Sequence, residues 1–204
     1  MDKHKLTHYL CEICYRIIQR HDGPDESAVR NQFLVTASLL PIEHCAAAYS
    51  FMAESPIQSV IHAFKYSGMP RLAECFGRSI AAMLPRQLDY IIPVPLHRTR
   101  FAERGYNQAE ALADGLAKNV KATVLRAIKR TRPTPSQTNL SIPERIENVR
   151  GAFALTRHAN MLKGKHVLIV DDVMTTGSTL ASVAEAVMEA RPATISILTL
   201  AMAV

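Results

Sequence analysis

The sequence predicts an α/β fold on a mostly parallel sheet, and three observations carry that prediction. Short apolar runs at 89–94, 165–171 and 193–203 read as buried strands. Stretches with apolar residues three and four apart, at 70–84, 107–118 and 176–190, read as helices alternating with them. The run 167–180, VLIVDDVMTTGSTL, is itself a strand, a polar turn and a helix in direct succession, half of a parallel α/β unit.

The elements follow in order. Residues 1–41 are polar, hold one C-x-x-C at Cys11 and Cys14, and show no clear periodicity. Residues 43–51 (EHCAAAYSF) read as a strand or hairpin arm. Pro56 suits the first turn of a short helix ending near Tyr66. Leu72, Phe76, Ile80 and Met83 share one face of a helix over 70–84. Asp89–Val94 is a strand, and the alanine-rich 107–118 a helix. Segment 131–150, with Pro133, Pro135 and Pro143, reads as a loop too long for a plain connector and hence functional. Leu180, Val183, Ala184 and Val187 mark the helix 176–190 between the last two strands. The division expected is an N-terminal segment, 1–41, and a main domain, 42–204.

At 204 residues and 48% hydrophobic content, one main domain with a proper core is the default. No stretch is long and apolar enough for a membrane span, and the N-terminus lacks the apolar core of a secretory signal. A cytoplasmic location with reduced cysteines is therefore expected. The net charge is +6. Segment 97–104 carries Arg98, Arg100 and Arg104 against Glu103, and segment 126–150 carries Arg126, Lys129, Arg130, Arg132, Arg145 and Arg150 against Glu144 and Glu147. These two stretches hold the whole excess, which implies an anionic partner, whether nucleic acid or a polyphosphate sugar.

The run 167–180 supplies the chemistry. Its turn lies at the carboxyl end of a strand, where open α/β sheets bind ligands, and its helix N-terminus suits a phosphate. Gly177 lets the backbone approach an anion, and Thr175, Thr176, Ser178 and Thr179 add hydroxyls. Asp171 and Asp172 would repel a phosphate directly on them, but one step away they can accept from sugar hydroxyls or hold a hydrated divalent cation. Together these features describe a ribose 5-phosphate. The plain alternative is an acid pair capping a loop and a hydroxyl run that starts a helix. A P-loop is excluded because 173–179 has one glycine and no lysine, and no G-x-G-x-x-G is present. A second loop opens on the same sheet edge after Pro93-Val94-Pro95, carrying His97, Arg98, Arg100 and Arg104, donors suited to diphosphate oxygens.

The turn 171–179 resembles the phosphoribosyl diphosphate (PRPP) motif of type I phosphoribosyltransferases. PVPLHRTRFAERGYNQ (93–108) resembles the ComF family of phosphoribosyltransferase-like proteins, which has a related branch linked by name to gluconate use. HAFKYSG (62–68) and KRTRPTPSQTNLSIPERIENVRGAF (129–153) extend that similarity to about 43–204. The resemblance implies a type I phosphoribosyltransferase fold, a central parallel sheet flanked by helices with a hood. It also implies Mg²⁺-assisted PRPP binding near Asp171 and Asp172, and a role in DNA uptake and natural transformation beside competence machinery proteins. Lys65 and Tyr66 then lie near the sugar-phosphate pocket, and Lys129, Arg130, Gln137, Arg145, Asn148 and Gly151 fall in a loop that closes over PRPP. ComF proteins usually begin with two C-x-x-C pairs of a zinc ribbon. Here Cys11 and Cys14 form one, so 1–41 reads as a degenerate remnant, with zinc on those two cysteines as a weak option.

The reaction expected is transfer of 5-phosphoribose from PRPP, with the loop 175–179 on the 5-phosphate, Asp171 and Asp172 on the ribose hydroxyls, and Arg98 and Arg100 on the diphosphate. Val204 closes the last strand, where many relatives continue with residues that hold a base, so a donor site is legible and an acceptor site is not. The rival reading is a non-catalytic PRPP sensor or single-stranded DNA-binding protein, with Phe101, Tyr106 or Tyr66 stacking on bases.

Overall fold

The computed structural model describes residues 9–11, 16, 18, 23–37, 40–133 and 141–203. Its centre is a five-stranded sheet in the order β1-β7-β6-β2-β3, formed by Ile42–Phe51 (β1), Tyr90–Pro93 (β2), Thr123–Val124 (β3), His166–Met174 (β6) and Thr194–Ala203 (β7). Every adjacent pair is parallel. Both faces are covered, so β6 and β7 read as continuous apolar runs rather than alternating ones. Side-chain alternation still sorts them: Val167 and Ile169 enter one core cluster, Leu168 and Val170 the other.

The first cluster lies under helices α1 (Glu26–Ala37) and α7 (Ser178–Met188). The second lies under α2 (Pro56–Tyr66), α3 (Pro70–Ser79) and α5 (Gln108–Ala117). Ser55 caps α2 by accepting from the Gln58 amide, with Pro56 in the first turn. Helices α3 and α5 touch backbone to backbone. A Cβ on Gly77 would stand 2.2 Å from the Leu112 carbonyl oxygen, and one on Gly115 2.2 Å from that of Glu74.

Four expectations are corrected. The N-terminal segment contains α1, whose Val29, Phe33 and Ala37, four residues apart, are buried in the same core as Ile42 and Leu180. A helix assigned to the segment 1–41 therefore packs as part of the main domain. The helix expected over 70–84 stops at Ser79 and continues as a 3-10 turn, Ala81–Met83. The basic run after β2 is not a loop but a short helix, α4 (Arg98–Arg104), capped by the His97 ring and ended by Gly105 at φ 76°. Segment 131–150 is not one loop either, because Ile142–Val149 forms α6. Glu144 accepts from the Ser141 amide at 2.7 Å and its hydroxyl at 2.6 Å, which holds the Glu144 carboxyl below its ordinary pKa. Helix α6 sits between β4 (Ile128–Arg130) and β5 (Phe153–Leu155), a two-stranded antiparallel sheet beside the main one. Among the described residues no helix is long and apolar enough to cross a membrane.

Candidate functional site

Strands β6 and β2 are neighbours, yet the chain runs from β6 to β7 on one side and from β2 to β3 on the other. Their following loops diverge, which opens a crevice at the carboxyl ends of the strands. Both sequence-predicted loops line it. Pro93 is in register with Val170, so Asp171 stands one residue beyond the pairing with β2, while β6 stays paired with β7 through Met174.

Behind β6 the chain turns through 175–177 into α7. Gly177 caps the helix at φ 77°, a left-handed conformation that L side chains rarely adopt. A Cβ there would lie 3.1 Å from Thr36 Oγ1 and 3.3 Å from the Phe33 Cα, so α1 passes directly beneath the turn. Two α1 side chains grip its carbonyls. The Gln32 amide nitrogen donates to the Thr175 carbonyl and, at 3.1 Å, to that of Ala203. Thr36 Oγ1 reaches the Phe33 carbonyl at 2.9 Å and the Thr176 carbonyl at 3.2 Å. On the open side, Thr176 and Ser178 hydroxyls are 3.1 Å apart beside the helix N-terminus. A small open depression is lined there by Asp171, Thr175, Gly177, Ser178 and Thr179 among others. The opening turn of α7 presents N–H groups and partial positive charge toward it.

The acid pair is asymmetric. Asp171 accepts the Asp172 amide at 2.8 Å, and Asp172 accepts the Val173 amide at 2.9 Å. Burial of the Asp171 carboxyl and the charge of Asp172 push its pKa well above the ordinary range, although part of the residue stays accessible. The second oxygen of Asp172, Oδ2, is buried with no hydrogen-bond partner among the described residues, and Lys65 Nζ stands 3.4 Å away.

Lys65 reaches the crevice because the end of α2 is tied down. The Tyr106 hydroxyl donates to the Phe64 carbonyl at 2.7 Å and Gln108 Nε2 to the same oxygen at 3.2 Å. Arg104 donates to Gln108 Oε1 at 2.9 Å, so this arginine supports the scaffold. Burial pushes the Tyr106 hydroxyl up to about 12, and the charge of Asp172 adds to the shift. Asn107 fixes the start of α5 by accepting from the Ala109 amide and donating to the Val94 carbonyl.

The hood supplies the remaining cations. Arg130 on β4 lies over the Phe153 ring, 5.3 Å from its centroid. Burial lowers its pKa, Asp171 opposes that shift, and the charges of Arg100 and Arg132 reinforce it. Asp171, Arg100 of α4 and Arg132 thus all act on the charge of Arg130. Arg100 also donates to Glu103 at 3.1 Å. His97 spends its ring nitrogen on Thr99 as a helix cap. Arg98 and Lys129 are exposed. Tyr66 is 67% exposed with its ring 4.5 Å from that of His62, and Phe101 is 50% exposed, whereas Tyr106 is half-buried. Gln137 and Cys14 lie outside the described residues, as does the side chain of Arg145. Cys11 is exposed, and no cluster of His, Cys, Asp or Glu suited to a metal ion is found among the described residues.

Gln32, Thr36 and Gln108 belong to the site's architecture and were not foreseen. The only signal for the first two was their position beside Phe33 on a four-residue apolar spacing.

The model of the phosphoribosyl transferase domain family matches residues 101–203. The DNA utilization protein YhgH of Shigella flexneri is 33% identical over 154 residues, covering 70% of this chain and 65% of that protein. Competence protein F of Haemophilus influenzae is 43% identical over 93 residues, 45% of this chain and 41% of that one. Competence protein ComFC of Bacillus subtilis is 24% identical over 189 residues, 91% of this chain and 74% of that one. The chain spans about 65% of the length of the YhgH relatives.

Proposed function

Because the chain belongs to the phosphoribosyl transferase domain family and to its ComF-like group, we propose that it binds PRPP with Mg²⁺ and transfers the phosphoribosyl group, within a role in DNA uptake or utilization. One observation carries this reading: a phosphate-type turn adjoins a buried acid pair, with Lys65 Nζ 3.4 Å from Asp172 and Arg130 within the electrostatic range of Asp171 and Arg100. Cations beside two carboxylates suit a ligand with anionic ends and a hydroxylated middle.

The 5-phosphate sits on the α7 N-terminus, held by the Thr175–Thr179 turn. Ribose hydroxyls donate to Asp171 and Asp172. Asp172 Oδ2, buried and facing Lys65 Nζ at 3.4 Å without a hydrogen bond, fits such a donor or a metal-bound ligand. Burial and the charge of Asp172 favour the protonated form of Asp171, and Lys65 opposes them. Asp171 and Asp172 would lie beside a Mg²⁺ carried by PRPP, which would neutralise charge on the diphosphate. As the C1–oxygen bond breaks, positive charge develops on the sugar and negative charge on the diphosphate. Arg98, Arg100 and Arg130 would stabilise the latter, and the segment 129–150 would exclude water. The catalytic effect is positioning and preorganised charge rather than proton transfer on the sugar.

The DNA-related part of the proposal comes from the names of the relatives. The exposed rings of Tyr66 and Phe101 beside basic segments favour a second reading, a PRPP-responsive protein that binds single-stranded DNA without turnover. Titration with PRPP and Mg²⁺, followed by diphosphate assays with nucleobases and single-stranded DNA as acceptors, separates the readings. Diphosphate release on one acceptor supports transfer, PRPP binding without release supports the second reading, and absence of PRPP binding refutes both.

A further inference from the structure

The turn read as the phosphate cradle is gripped from behind by a side chain that no ligand in the crevice would touch. Gln32 directs its amide nitrogen at two carbonyls, Thr175 in the turn and Ala203 at the end of β7. An amide nitrogen carries two N–H donors, so this pair of acceptors matches its full donor capacity. Thr36, one helical turn further along α1, shares its single O–H between the Phe33 carbonyl at 2.9 Å and the next turn carbonyl, Thr176, at 3.2 Å. Gly177 then packs on Phe33. Three successive residues of the turn, 175 to 177, are thereby fixed by three residues of one helix.

The consequence follows from peptide geometry. In a trans peptide the C=O and the following N–H point in opposite directions. Drawing the Thr175 and Thr176 carbonyls toward α1 therefore turns the N–H groups of Thr176 and Gly177 away from it. A released turn would rotate those peptides and lose the donors.

We propose that Gln32 is the positioning residue of this turn, and that α1 sets ligand affinity by holding the turn's amides in their anion-binding orientation. The inference rests on the phosphate reading of residues 175–179. Helix α1 is anchored in the core by Val29, Phe33 and Ala37. Gln32 is only half-buried, and both of its hydrogen bonds go to the turn and the adjoining strand end. Its loss should consequently act on binding far more than on folding.

The test uses the full chain with ribose 5-phosphate as the probe, titrated calorimetrically at pH 8 and pH 5 beside thermal melts. Gln32→Met keeps the length and removes both donors. Gln32→Glu keeps the shape, donates nothing when ionised and regains one O–H donor when protonated, a form that partial burial and the two facing carbonyls favour by raising its pKa. The expected result is about tenfold weaker binding for Gln32→Met at both pH values, with the melting temperature nearly unchanged. Gln32→Glu should be at least as weak at pH 8 and should approach the wild type at pH 5, each compared with the wild type at the same pH. Equal affinity of both variants and the wild type overturns the inference while leaving the phosphate site standing. So does a weakening that tracks a lowered melting temperature and shows no recovery of Gln32→Glu at pH 5. Failure of the wild type itself to bind ribose 5-phosphate overturns the phosphate reading, and the inference with it.

Discussion

Replacing Gly177 by alanine tests whether α1 truly underlies the ligand turn. At φ 77° an L residue costs about 1–2 kcal/mol relative to glycine. The new methyl would also meet Thr36 Oγ1 at 3.1 Å, the Phe33 Cα at 3.3 Å and Phe33 Cδ2 at 3.4 Å. The Cα belongs to helix backbone and has no rotamer to change, and Thr36 is engaged with two carbonyls, so the turn itself must shift. Overpacking of that kind costs about 1–3 kcal/mol. Entropy lost by the unfolded chain returns roughly 0.4–1 kcal/mol. The net expectation is about 2–3 kcal/mol of destabilisation. With a urea slope of about 2 kcal/mol per M, the unfolding midpoint falls by roughly 1 M or slightly more. Gly68→Ala is the internal control: φ is 59°, but nothing lies within 4 Å of the added methyl, so only the dihedral cost less the same entropy return applies, about 1 kcal/mol net. If Gly177→Ala unfolds at the same urea concentration as Gly68→Ala, the packing of α1 under the turn is refuted.

Other perturbations probe the acid pair, the scaffold and the nucleic-acid reading. Asp171 has its folded pKa raised by burial and by Asp172, so the folded state gains stability from it at low pH and loses that gain as pH rises through the folded value. Asp171→Asn should therefore melt higher than the wild type at pH 8, with the difference shrinking toward pH 5, while PRPP binding is lost; a variant melting lower at pH 8 contradicts the burial assignment. Gly77→Ala should cost at least about 2–3 kcal/mol in urea unfolding, because its methyl would collide with the Leu112 carbonyl at 2.2 Å and force α3 and α5 apart. If single-stranded DNA follows the basic segments through about three phosphate contacts, log K should fall against log salt with a slope near −2, and a flat salt response excludes that mode.

The sheet and the turn after β6 were legible because both are local. A strand covered on both faces shows itself as an apolar run, and Val167–Val170 followed by two acids and a hydroxyl run needs no distant partner to be recognised. Helices α1 and α6 were hidden for different reasons. Val29, Phe33 and Ala37 give one apolar position per turn, too sparse to register as a periodic face. In 131–150 the prolines suggested a loop, whereas Pro143 stands in the first turn of a helix announced by Ser141 and Glu144.

The residues that chemistry alone could not sort were the arginines. Arg104 and Arg130 are identical groups in basic segments, and the sequence supplies no reason to separate them. The fold does so through what lies within reach of each. Arg104 meets Gln108, which holds the end of α2 and with it Lys65. Arg130 lies across Phe153 in the electrostatic range of Asp171 and of two further guanidinium groups. Guanidinium groups in range of one another repel, and an anion between them removes that cost. Removing each in turn should therefore separate the two roles. Arg130→Met should weaken PRPP binding with little loss of stability, because it relieves repulsion in the empty protein. Arg104→Met should lower the melting temperature and displace Lys65, so its loss of affinity should shrink when Lys65→Met is already present. Additive losses for the Arg104 and Lys65 pair in a double-mutant cycle would break that chain of support.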